Sequence, residues 1–431
     1  MIPGARLSAA IEVLADMEAR KRPASEALKD WGLAHRFAGS SDRAAIGNLV
    51  FDALRSRASS AYAMGDDSPR ALILRTLVSS WKETPEAVAA LADGSRHVPQ
   101  PLSIDELAGL KREIPPDAPA HISGDYPEWL APEFQRAFGA RAAEEGAALA
   151  MRAPVDLRAN TLKASRDKVL KALRRLDAAP TPHSPLGVRI AQGPGGGRSP
   201  HVEAEPGHGK GWYEVQDEGS QLATLLSGAS PRQQVIDLCA GAGGKTLGLA
   251  AAMENTGQLY AYDSDRMRLR PIFERLKRAG VRNAQVLAAG EADGLGALAG
   301  KMDRVVIDAP CTGSGVWRRR PDAKWRLKPD MLQARLAEQR AALDQGAVLV
   351  KPGGRLAYIT CSVLPQENRD QVDAFLTRTP EFRLVPWPEL WRAALSAPPL
   401  PSADGSGETL LMTPLSHGTD GFYVAVLERA R

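Results

Sequence analysis

The sequence predicts an α/β protein whose N-terminal part is helical, and three observations support this fold class. Apolar residues recur at helical spacing near the N-terminus, as in Leu7, Ile11 and Leu14. Residues 126–212 mix strand and helix patterns. From residue 213 onward, short apolar runs alternate with helical segments, which is typical of a doubly wound parallel sheet covered by helices.

Composition bounds the class of protein. The 431 residues are 44% hydrophobic and 25% charged, which fits several globular domains and excludes collagen, coiled coil and wholesale disorder. No apolar run approaches the ~18 residues needed to cross a bilayer. Glu12, Asp16 and Glu18 interrupt the N-terminal apolar stretch, unlike a signal peptide. We therefore expect a cytoplasmic protein without a membrane partner.

Charge is nearly balanced, because 55 Lys and Arg face 51 Asp and Glu. Any affinity for nucleic acid must then come from local basic patches. One candidate patch follows Cys311 and consists of Arg318, Arg319, Arg320, Lys324, Arg326 and Lys328, with Trp317 and Trp325 interleaved. We predict that it neutralises phosphates and stacks an unpaired base, the alternative being an ordinary solvated surface.

The N-terminal third shows a helical pattern and no catalytic constellation. Helices are predicted over residues 69–81 and 84–91, and the Pro-rich stretch 94–119 is predicted to be a linker. We interpret this part as a packing or docking module.

The C-terminal half supplies the elements of the predicted sheet. In such sheets, ligands bind outside the carboxyl ends of the strands. The predicted strands and helices are strand 234–238, helix 246–253, strand 258–262, helix 266–279, strand 304–307 and strand 355–359.

A glycine-rich turn, DLCAGAGGKT (237–246), joins the first strand of this half to its helix, and Asp263 ends the next strand. A Walker A loop is excluded because position 239 is Cys, and a dinucleotide fingerprint lacks its third Gly. A site for S-adenosyl-L-methionine needs only the turn and a carboxylate for the ribose, and it fits best. The alternative is that the glycines merely allow close helix–strand packing.

Cysteines are few and informative. Three in this chain exclude a disulfide framework and a four-cysteine zinc site, and we predict no metal. Cys311 follows the strand that ends in Asp308, and Cys361 follows another strand end, 50 residues later. Both thiols should face the cofactor crevice, although a lone Cys at a strand end is more often a small buried hydrophobe.

Paired thiols suit methylation of cytosine C5. That carbon is too weak a nucleophile until a thiolate adds to C6 and makes an enamine. A carboxyl group at the N3 edge disperses charge during this addition, and Asp308 is the candidate. A second thiol nearby can assist release of the protein–base bond.

Six motifs in order resemble the Sun/RsmB group of RNA cytosine-5 methyltransferases. The resemblance is nearly continuous from Gly211 to the C-terminus. The motifs are VQDEGSQLA (215–223), DLCAGAGGKT (237–246), AYDSD (261–265), DAPCTGSGVWRRRPDAKW (308–325), GGRLAYITCS (353–362) and HGTDGFYVA (417–425).

This resemblance implies a Rossmann-like class I methyltransferase domain in which Cys361 is the nucleophile and Cys311 the release thiol. It also implies contacts to S-adenosyl-L-methionine from Cys239, Ala240, Gly241, Ala242, Gly243, Gly244, Lys245, Asp263, Glu291 and Asp308. One departure concerns the adenine side, where the usual Gly-Asp is Gly290-Glu291, with Asp293 two residues on. Another is the exchange of hydroxyls at Thr312 and Ser314.

Upstream motifs extend the resemblance to the domain level. Residues 125–130 and 158–163 resemble the family's RRM-like α+β subdomain, and residues 42–57 more weakly resemble the all-α NusB-like domain of the bacterial ribosomal RNA subgroup. The predicted domains are therefore NusB-like (1–115), RRM-like (120–212) and methyltransferase (213–431).

The NusB-like domain makes small-subunit ribosomal RNA the predicted substrate, and no oligomer is implied. Alternatives are a transfer RNA cytosine-5 methyltransferase and a non-catalytic RNA-binding assembly factor.

Overall fold

Helices form the N-terminal part of the computed structural model, in line with the apolar spacing. The structure describes residues 1–193, 195, 197, 200–287 and 292–431. The helices of this part are α1 (Pro3–Arg20), α2 (Ala24–Ala34), α3 (Ser40–Arg55), α4 (Arg57–Met64), α5 (Pro69–Ser79), α6 (Pro85–Ala90), α7 (Ile104–Lys111), α8 (Ala120–Ser123), α9 (Ala131–Phe138) and α10 (Ala142–Ala150). Among the helices of the described residues, none has the length and apolar character needed to span a bilayer.

These helices belong to the first of two compact units, which comprises residues 1–152, 192–199 and 317–327. Its core includes Leu7, Leu14, Ile46 and Leu72, which are at most 3% exposed. These residues face one another because the apolar residues of each helix lie on one side of it.

The predicted linker over residues 94–119 is wrong, because this stretch contains α7. Ser103 accepts a hydrogen bond from the Glu106 amide at 3.1 Å, and the Glu106 carboxylate accepts one from the Ser103 amide at 2.9 Å. This capping box begins the helix, and Leu110 buries its side chain in the core of the first unit. The prolines outside the helix therefore mark its ends.

The second unit, residues 153–191, 200–316 and 328–431, contains two sheets. The smaller is antiparallel in the order β2-β3-β1-β4. Its strands and accompanying helices are β1 (Val155–Ala159), α11 (Arg166–Ala172), β2 (Ala179–Pro180), β3 (Gly187–Ile190), α12 (Pro206–Gly209) and β4 (Tyr213–Val215).

The larger sheet forms the core of the second unit. Its order is β10-β12-β9-β8-β5-β6-β7, with β11 paired to β12. The strands are β5 (Gln234–Asp237), β6 (Gln258–Ala261), β7 (Ala284–Val286), β8 (Met302–Asp308), β9 (Val350–Thr360), β10 (Phe382–Val385), β11 (Leu410–Met412) and β12 (Phe422–Arg429). Strands β5 to β9 are parallel, whereas β10, β11 and β12 are antiparallel, so the predicted wholly parallel sheet is corrected to a mixed one.

Helices connect the strands of this half of the chain. They are α13 (Glu218–Leu226), α14 (Gly244–Ala252), α15 (Arg266–Leu269), α16 (Ile272–Ala279), α17 (Ala292–Gly296), α18 (Pro321–Arg326), α19 (Pro329–Leu349), α20 (Arg369–Arg378), α21 (Trp387–Ala394) and α22 (Pro414–His417). Of these, α18 lies in the first unit. The single helix predicted over residues 266–279 is divided between α15 and α16, because Pro271 lacks the amide hydrogen that would continue the ladder.

The strand order reverses at β5, which lies between β6 and β8. Connections leave in opposite directions from this point, so a crevice opens at the carboxyl ends of β5 and β8. The fold therefore places the glycine-rich turn, Asp308 and the loop of Cys311 at one edge of the sheet.

Residues of β1 and the turn after it connect the small sheet to the part of the second unit that contains the larger sheet. The buried Asn160 amide donates to the carbonyl oxygens of Gly211 and Ala279, each at 2.8 Å. The buried Arg158 guanidinium donates to the carbonyl oxygen of Gly244 at 3.0 Å, and burial lowers its pKa to about 10. The motif around residues 158–160, which the sequence associates with RNA binding, thus supports the glycine-rich turn from behind.

Replacement of Asn160 by Ala tests this connection. We expect N160A to lower the free energy of unfolding by about 2 kcal/mol, because two buried carbonyl groups lose their donor. Denaturant titration followed by circular dichroism measures the change. The exposed neighbour variant T161A is expected to stay within about 0.5 kcal/mol of wild type, and equal losses in both variants would contradict this role of Asn160.

Candidate active site

Two glycines in left-handed conformations shape the turn after β5. Gly241 has φ 49° and Gly243 has φ 85°, values that L-residues with side chains rarely adopt. A Cβ at Gly243 would also lie 2.6 Å from Cγ1 of Ile272. The turn therefore needs glycine at these positions, and α14 begins directly after it at Gly244.

Asp263, just after β6, faces this turn. One carboxylate oxygen accepts a hydrogen bond from the Gly241 amide and the other from the Asp265 amide, each at 2.8 Å. The side chain is buried, and a Cβ at Gly241 would lie 3.8 Å from its Oδ2 atom. The carboxylate is thus held beside the space left by the missing side chain, where it can also accept from ribose hydroxyls.

A second carboxylate, Asp237 at the end of β5, is fully buried under the turn. The Thr246 hydroxyl donates to its Oδ2 atom at 2.6 Å, whereas its Oδ1 atom has no hydrogen-bond partner among the described residues. Burial raises the pKa of Asp237 to about 7, and the nearby charge of Asp308 acts in the same direction. This unpaired oxygen and the open turn fit a ligand with hydrogen-bond donors.

Lys245 connects the turn to the end of β8. Its ammonium group is buried, forms an ion pair with Asp308 at 2.9 Å and donates to the Ser220 hydroxyl at 3.2 Å. The Asp308 side chain remains 38% exposed. This ion pair brings the start of α14 and the strand that precedes Cys311 to one point, while Asp308 keeps an accessible face.

Cys239 lies inside the turn, among carboxylates. Loss of hydration raises the pKa of its thiol, and Asp237, Asp263 and Asp308 raise it further. The thiol therefore stays protonated and is a poor nucleophile. The contact of Cys239 with the cofactor stays a prediction.

Cys311 and Cys361 lie side by side, although 50 residues separate them. Their Sγ atoms are 3.3 Å apart, since β8 and β9 are parallel neighbours and each thiol follows the end of its strand. The Cys361 sulfur, as a hydrogen-bond partner, raises the pKa of Cys311, and loss of hydration adds to the effect. Cys311 therefore retains its proton beside the Cys361 sulfur.

Hydrogen bonds between the two cysteine loops hold the sulfurs in this position. The hydroxyls of Ser314 and Ser362 are 2.8 Å apart, and the Gly315 amide donates to the Cys361 carbonyl oxygen at 3.0 Å. Gly315 also packs closely on Gly421, whose carbonyl oxygen would lie 2.2 Å from a Cβ at Gly315. The sequence analysis named Ser314 only as a departure from the family pattern and did not predict these contacts, because they join distant parts of the chain.

The adenine-side position remains a prediction. Glu291 lies outside the described residues, and Asp293 falls in the short helix α17. The structure brings together the other predicted site residues, which are Asp263, Asp308, Cys311, Cys361 and the turn 239–245.

The predicted RNA-stacking patch is wrong in its central residues. Trp317 is buried and stacks on Phe134 with ring centroids 6.0 Å apart, and Trp325 donates from Nε1 to the Leu54 carbonyl oxygen at 2.5 Å. Lys324 is 1% exposed and donates to the carbonyl oxygens of Arg55 and Asp125. Burial lowers the pKa of Lys324 to about 8. Segment 317–327 thus completes the core of the first unit, and its exposed basic residues are Arg319 and Arg320.

The strand order, the glycine-rich turn and the carboxylates at the switch point define a Rossmann-like methyltransferase of the class that uses S-adenosyl-L-methionine. A family model described as 16S rRNA methyltransferase RsmB/F matches residues 223–428, and one described as a RsmF/B-like ferredoxin-like domain matches residues 126–194. The chain belongs to the RsmB/F methyltransferase family.

Similar proteins agree with this assignment. The chain is 32% identical over 309 residues to a probable ribosomal RNA small subunit methyltransferase B of Synechocystis, covering 71% of this chain and 67% of the relative. It is 35% identical over 318 residues to the ribosomal RNA small subunit methyltransferase B of Vibrio cholerae, with coverages of 72% and 68%. The crystal structure of PH0851 matches with a TM-score of 0.73 and 25% identity, covering 100% of this chain and 99% of that one.

Family membership confirms the predicted resemblance, fold class and enzyme class: the chain is an RNA methyltransferase that uses S-adenosyl-L-methionine. The antiparallel small sheet agrees with the ferredoxin-like match. The NusB-like character of the helical part and the three predicted domain boundaries stay predictions.

Replacement of Asp237 by Asn tests the buried carboxyl under the turn. In the folded protein this group ionises near pH 7, against 3.8 ordinarily, so it reduces stability as the pH rises between these values. We therefore expect the stability of D237N relative to wild type to rise with pH over this interval, by at most about 1.4 kcal/mol per pH unit, and then to level off. Denaturant titrations of both proteins from pH 5 to 8 measure it, and parallel stability curves would contradict the burial of an ionisable group here.

Proposed function

We propose that the protein transfers a methyl group from S-adenosyl-L-methionine to C5 of a cytosine in small-subunit ribosomal RNA. The observation that carries this proposal is the 3.3 Å contact between Cys311 and Cys361 at the sheet edge that also holds the glycine-rich turn. The names of the relatives, small subunit methyltransferase B, support this RNA as the substrate. Such a substrate also favours the cytoplasm as the place of action.

Cofactor binding falls to the turn and its carboxylates. Residues 239–245 would cradle the ligand, Asp263 would accept from the ribose hydroxyls, and the exposed face of Asp308 would close the site. When bound, S-adenosyl-L-methionine supplies an electrophilic methyl group on a sulfonium. Lys245 holds Asp308 in place through their ion pair.

Covalent activation of the base begins at Cys361. The Cys361 thiolate adds to C6, the C5–C6 double bond opens, and the electron pair shifts toward N3 and C5. The proton of Cys361 passes to solvent water, and the Cys311 S–H group, which keeps its own proton, donates a hydrogen bond that stabilises the negative charge on the Cys361 sulfur. Asp308 lies at the end of β8 on the side assigned to the N3 edge, and a proton from solvent held between its carboxyl group and N3 disperses the charge that develops there.

Release reverses the first bond. After C5 has accepted the methyl group, the C5 proton passes to solvent water. The electron pair of that C–H bond re-forms the C5–C6 double bond as the C6–S bond breaks, and the electron pair of the C6–S bond returns to Cys361. The Cys311 S–H group, 3.3 Å away, stabilises this departing thiolate by donating to it again.

RNA binding is supported by the basic helix α11. Lys168, Lys171, Arg174 and Arg175 on and after this helix are exposed, and the Lys168 ammonium lies 4.1 Å from the ring centroid of Trp212. A row of cations beside an aromatic ring suits a phosphate backbone with an unstacked base. We assign this face to the RNA, together with the NusB-like module predicted over residues 1–115.

Replacement of Cys361 by Ser tests the function. Wild type should transfer labelled methyl to small-subunit rRNA from cells that lack this protein, and mass mapping should place the label at cytosine C5. C361S should lose at least about 1,000-fold in rate, because a serine hydroxyl is almost un-ionised near neutral pH. Its affinity for the cofactor should stay at the wild-type value.

Outcomes of the same assay separate the alternatives. Methylation of the transfer RNA pool in place of rRNA would identify transfer RNA as the substrate. RNA binding by wild type without any methyl transfer would indicate a non-catalytic assembly factor. An active C361S variant would contradict the covalent mechanism.

Replacement of Cys311 by Ala tests the release step. We expect C311A to form the adduct and retain it, because the departing Cys361 thiolate lacks its hydrogen-bond donor. Denaturing gels should show a protein–RNA band that wild type does not accumulate. The double variant C311A/C361A should show no such band, and normal turnover by C311A without a trapped band would contradict the release role.

A further inference from the structure

Glu367 is a fully buried carboxylate beside the two thiols that the sequence did not single out. Its Oε1 atom accepts from the Thr312 amide at 2.8 Å and from Nε2 of Gln339 at 3.0 Å. Its Oε2 atom accepts from the Thr312 hydroxyl at 2.5 Å and from the Ser362 hydroxyl. The Tyr358 hydroxyl donates to its carbonyl oxygen at 2.6 Å.

The donors to this carboxylate are neutral groups. Within the part of the chain that the structure describes, no ion pair reaches Glu367, so its charge is compensated by hydrogen bonds alone. Burial of a charge without a cation is costly, and apolar or amide residues would fill the same volume at lower cost. The carboxylate is therefore explained better by a task in the reaction than by stability.

The hydrogen bonds show what the carboxylate connects. Thr312 directly follows Cys311, and Ser362 directly follows Cys361, so one side chain is bonded to the residue next to each thiol. Gln339 joins the same point from α19 and also donates to the Pro310 carbonyl oxygen at 2.9 Å. The two loops follow different strands, and the Glu367 carboxylate holds both of them in place by hydrogen bonds.

We propose that Glu367 is a positioning residue for methyl transfer, whose carboxylate holds the loops of Cys311 and Cys361 together through the residue that follows each thiol. This inference rests on the proposed function, because it assigns a role in the adduct chemistry of Cys361. It adds a residue that acts through the thiols and does not touch the substrate.

The electrostatics agree with this geometry. The charge of Glu367 raises the pKa of Cys311, after the larger effects of the Cys361 hydrogen bond and of lost hydration. Other titratable groups around the pair are Tyr358 on β9, Cys239 in the turn and the Lys245–Asp308 ion pair. Replacement of Glu367 leaves these groups in place, so a change in the pH profile reports on Glu367 itself.

The variants E367Q and E367D separate charge from geometry. Adduct formation is measured on small-subunit rRNA transcribed with 5-fluorocytidine, because a C5–F bond cannot lose a proton and the adduct accumulates.

E367Q should lower kcat on ordinary rRNA about 100-fold with KM within about two-fold, since a small displacement of reacting groups suffices for such a loss. The pH profile of adduct formation should move to lower pH by about one unit, because removal of a negative charge favours thiolates. E367D keeps the charge, so its profile should stay at the wild-type pH while kcat falls.

A matched control uses another buried carboxylate of the same unit. Glu218 accepts from the amides of His183 and Ser184 and lies outside the thiol loops, so E218Q should lose stability without a shift in the pH profile. An E367Q variant with unchanged kcat, or one that loses activity only in proportion to its unfolded fraction with an unmoved profile, overturns this inference alone. Wild type that forms no adduct at Cys361 overturns the proposed function and the inference with it.

Discussion

The parallel pairing of β8 with β9 is the constraint on which the site depends. In this register Asp308 lies opposite Ile359, so the loops that follow the two strands begin at the same height. Two thiols 50 residues apart are thereby brought into van der Waals contact. The neighbouring pairing of β5 with β8 adds the glycine-rich turn on the other side, and the Lys245–Asp308 ion pair joins it to the thiol strand. Chemistry between a bound methyl donor and a captured base requires this convergence.

Negative charge is concentrated around the turn, and its distribution gives each sulfur a different character. Burial raises the pKa of the Cys239 thiol most, and the surrounding carboxylates Asp237, Asp263 and Asp308 raise it further. Lys245 neutralises Asp308 and therefore limits the repulsion that reaches the thiol pair. Selectivity among three cysteines thus arises from their surroundings, since their intrinsic chemistry is the same.

Sequence reasoning worked where a local pattern determines the outcome. The turn around Gly241 and Gly243 and the strand ends at Asp308 and Cys361 are visible because glycine placement and apolar runs depend on neighbouring residues. It failed where the outcome depends on whether a side chain is buried by residues that are distant along the chain. Trp317 and Lys324 look like an RNA-binding pair in the sequence, yet both are buried among helices that are remote along the chain. The role of Glu367 could not be predicted for the same reason, because its partners Thr312 and Gln339 lie 55 and 28 residues away along the chain.

The discontinuity of the first unit has a consequence for how this enzyme can be dissected. Segment 317–327, which begins six residues after Cys311, contributes the Trp317 indole and the Lys324 ammonium group to the interior of the helical part. A fragment that begins after residue 152 would expose the Trp317 indole to water and leave the Lys324 ammonium group without its carbonyl acceptors. The helical part is therefore not a detachable module, and its exchange between homologues requires the simultaneous exchange of residues 317–327.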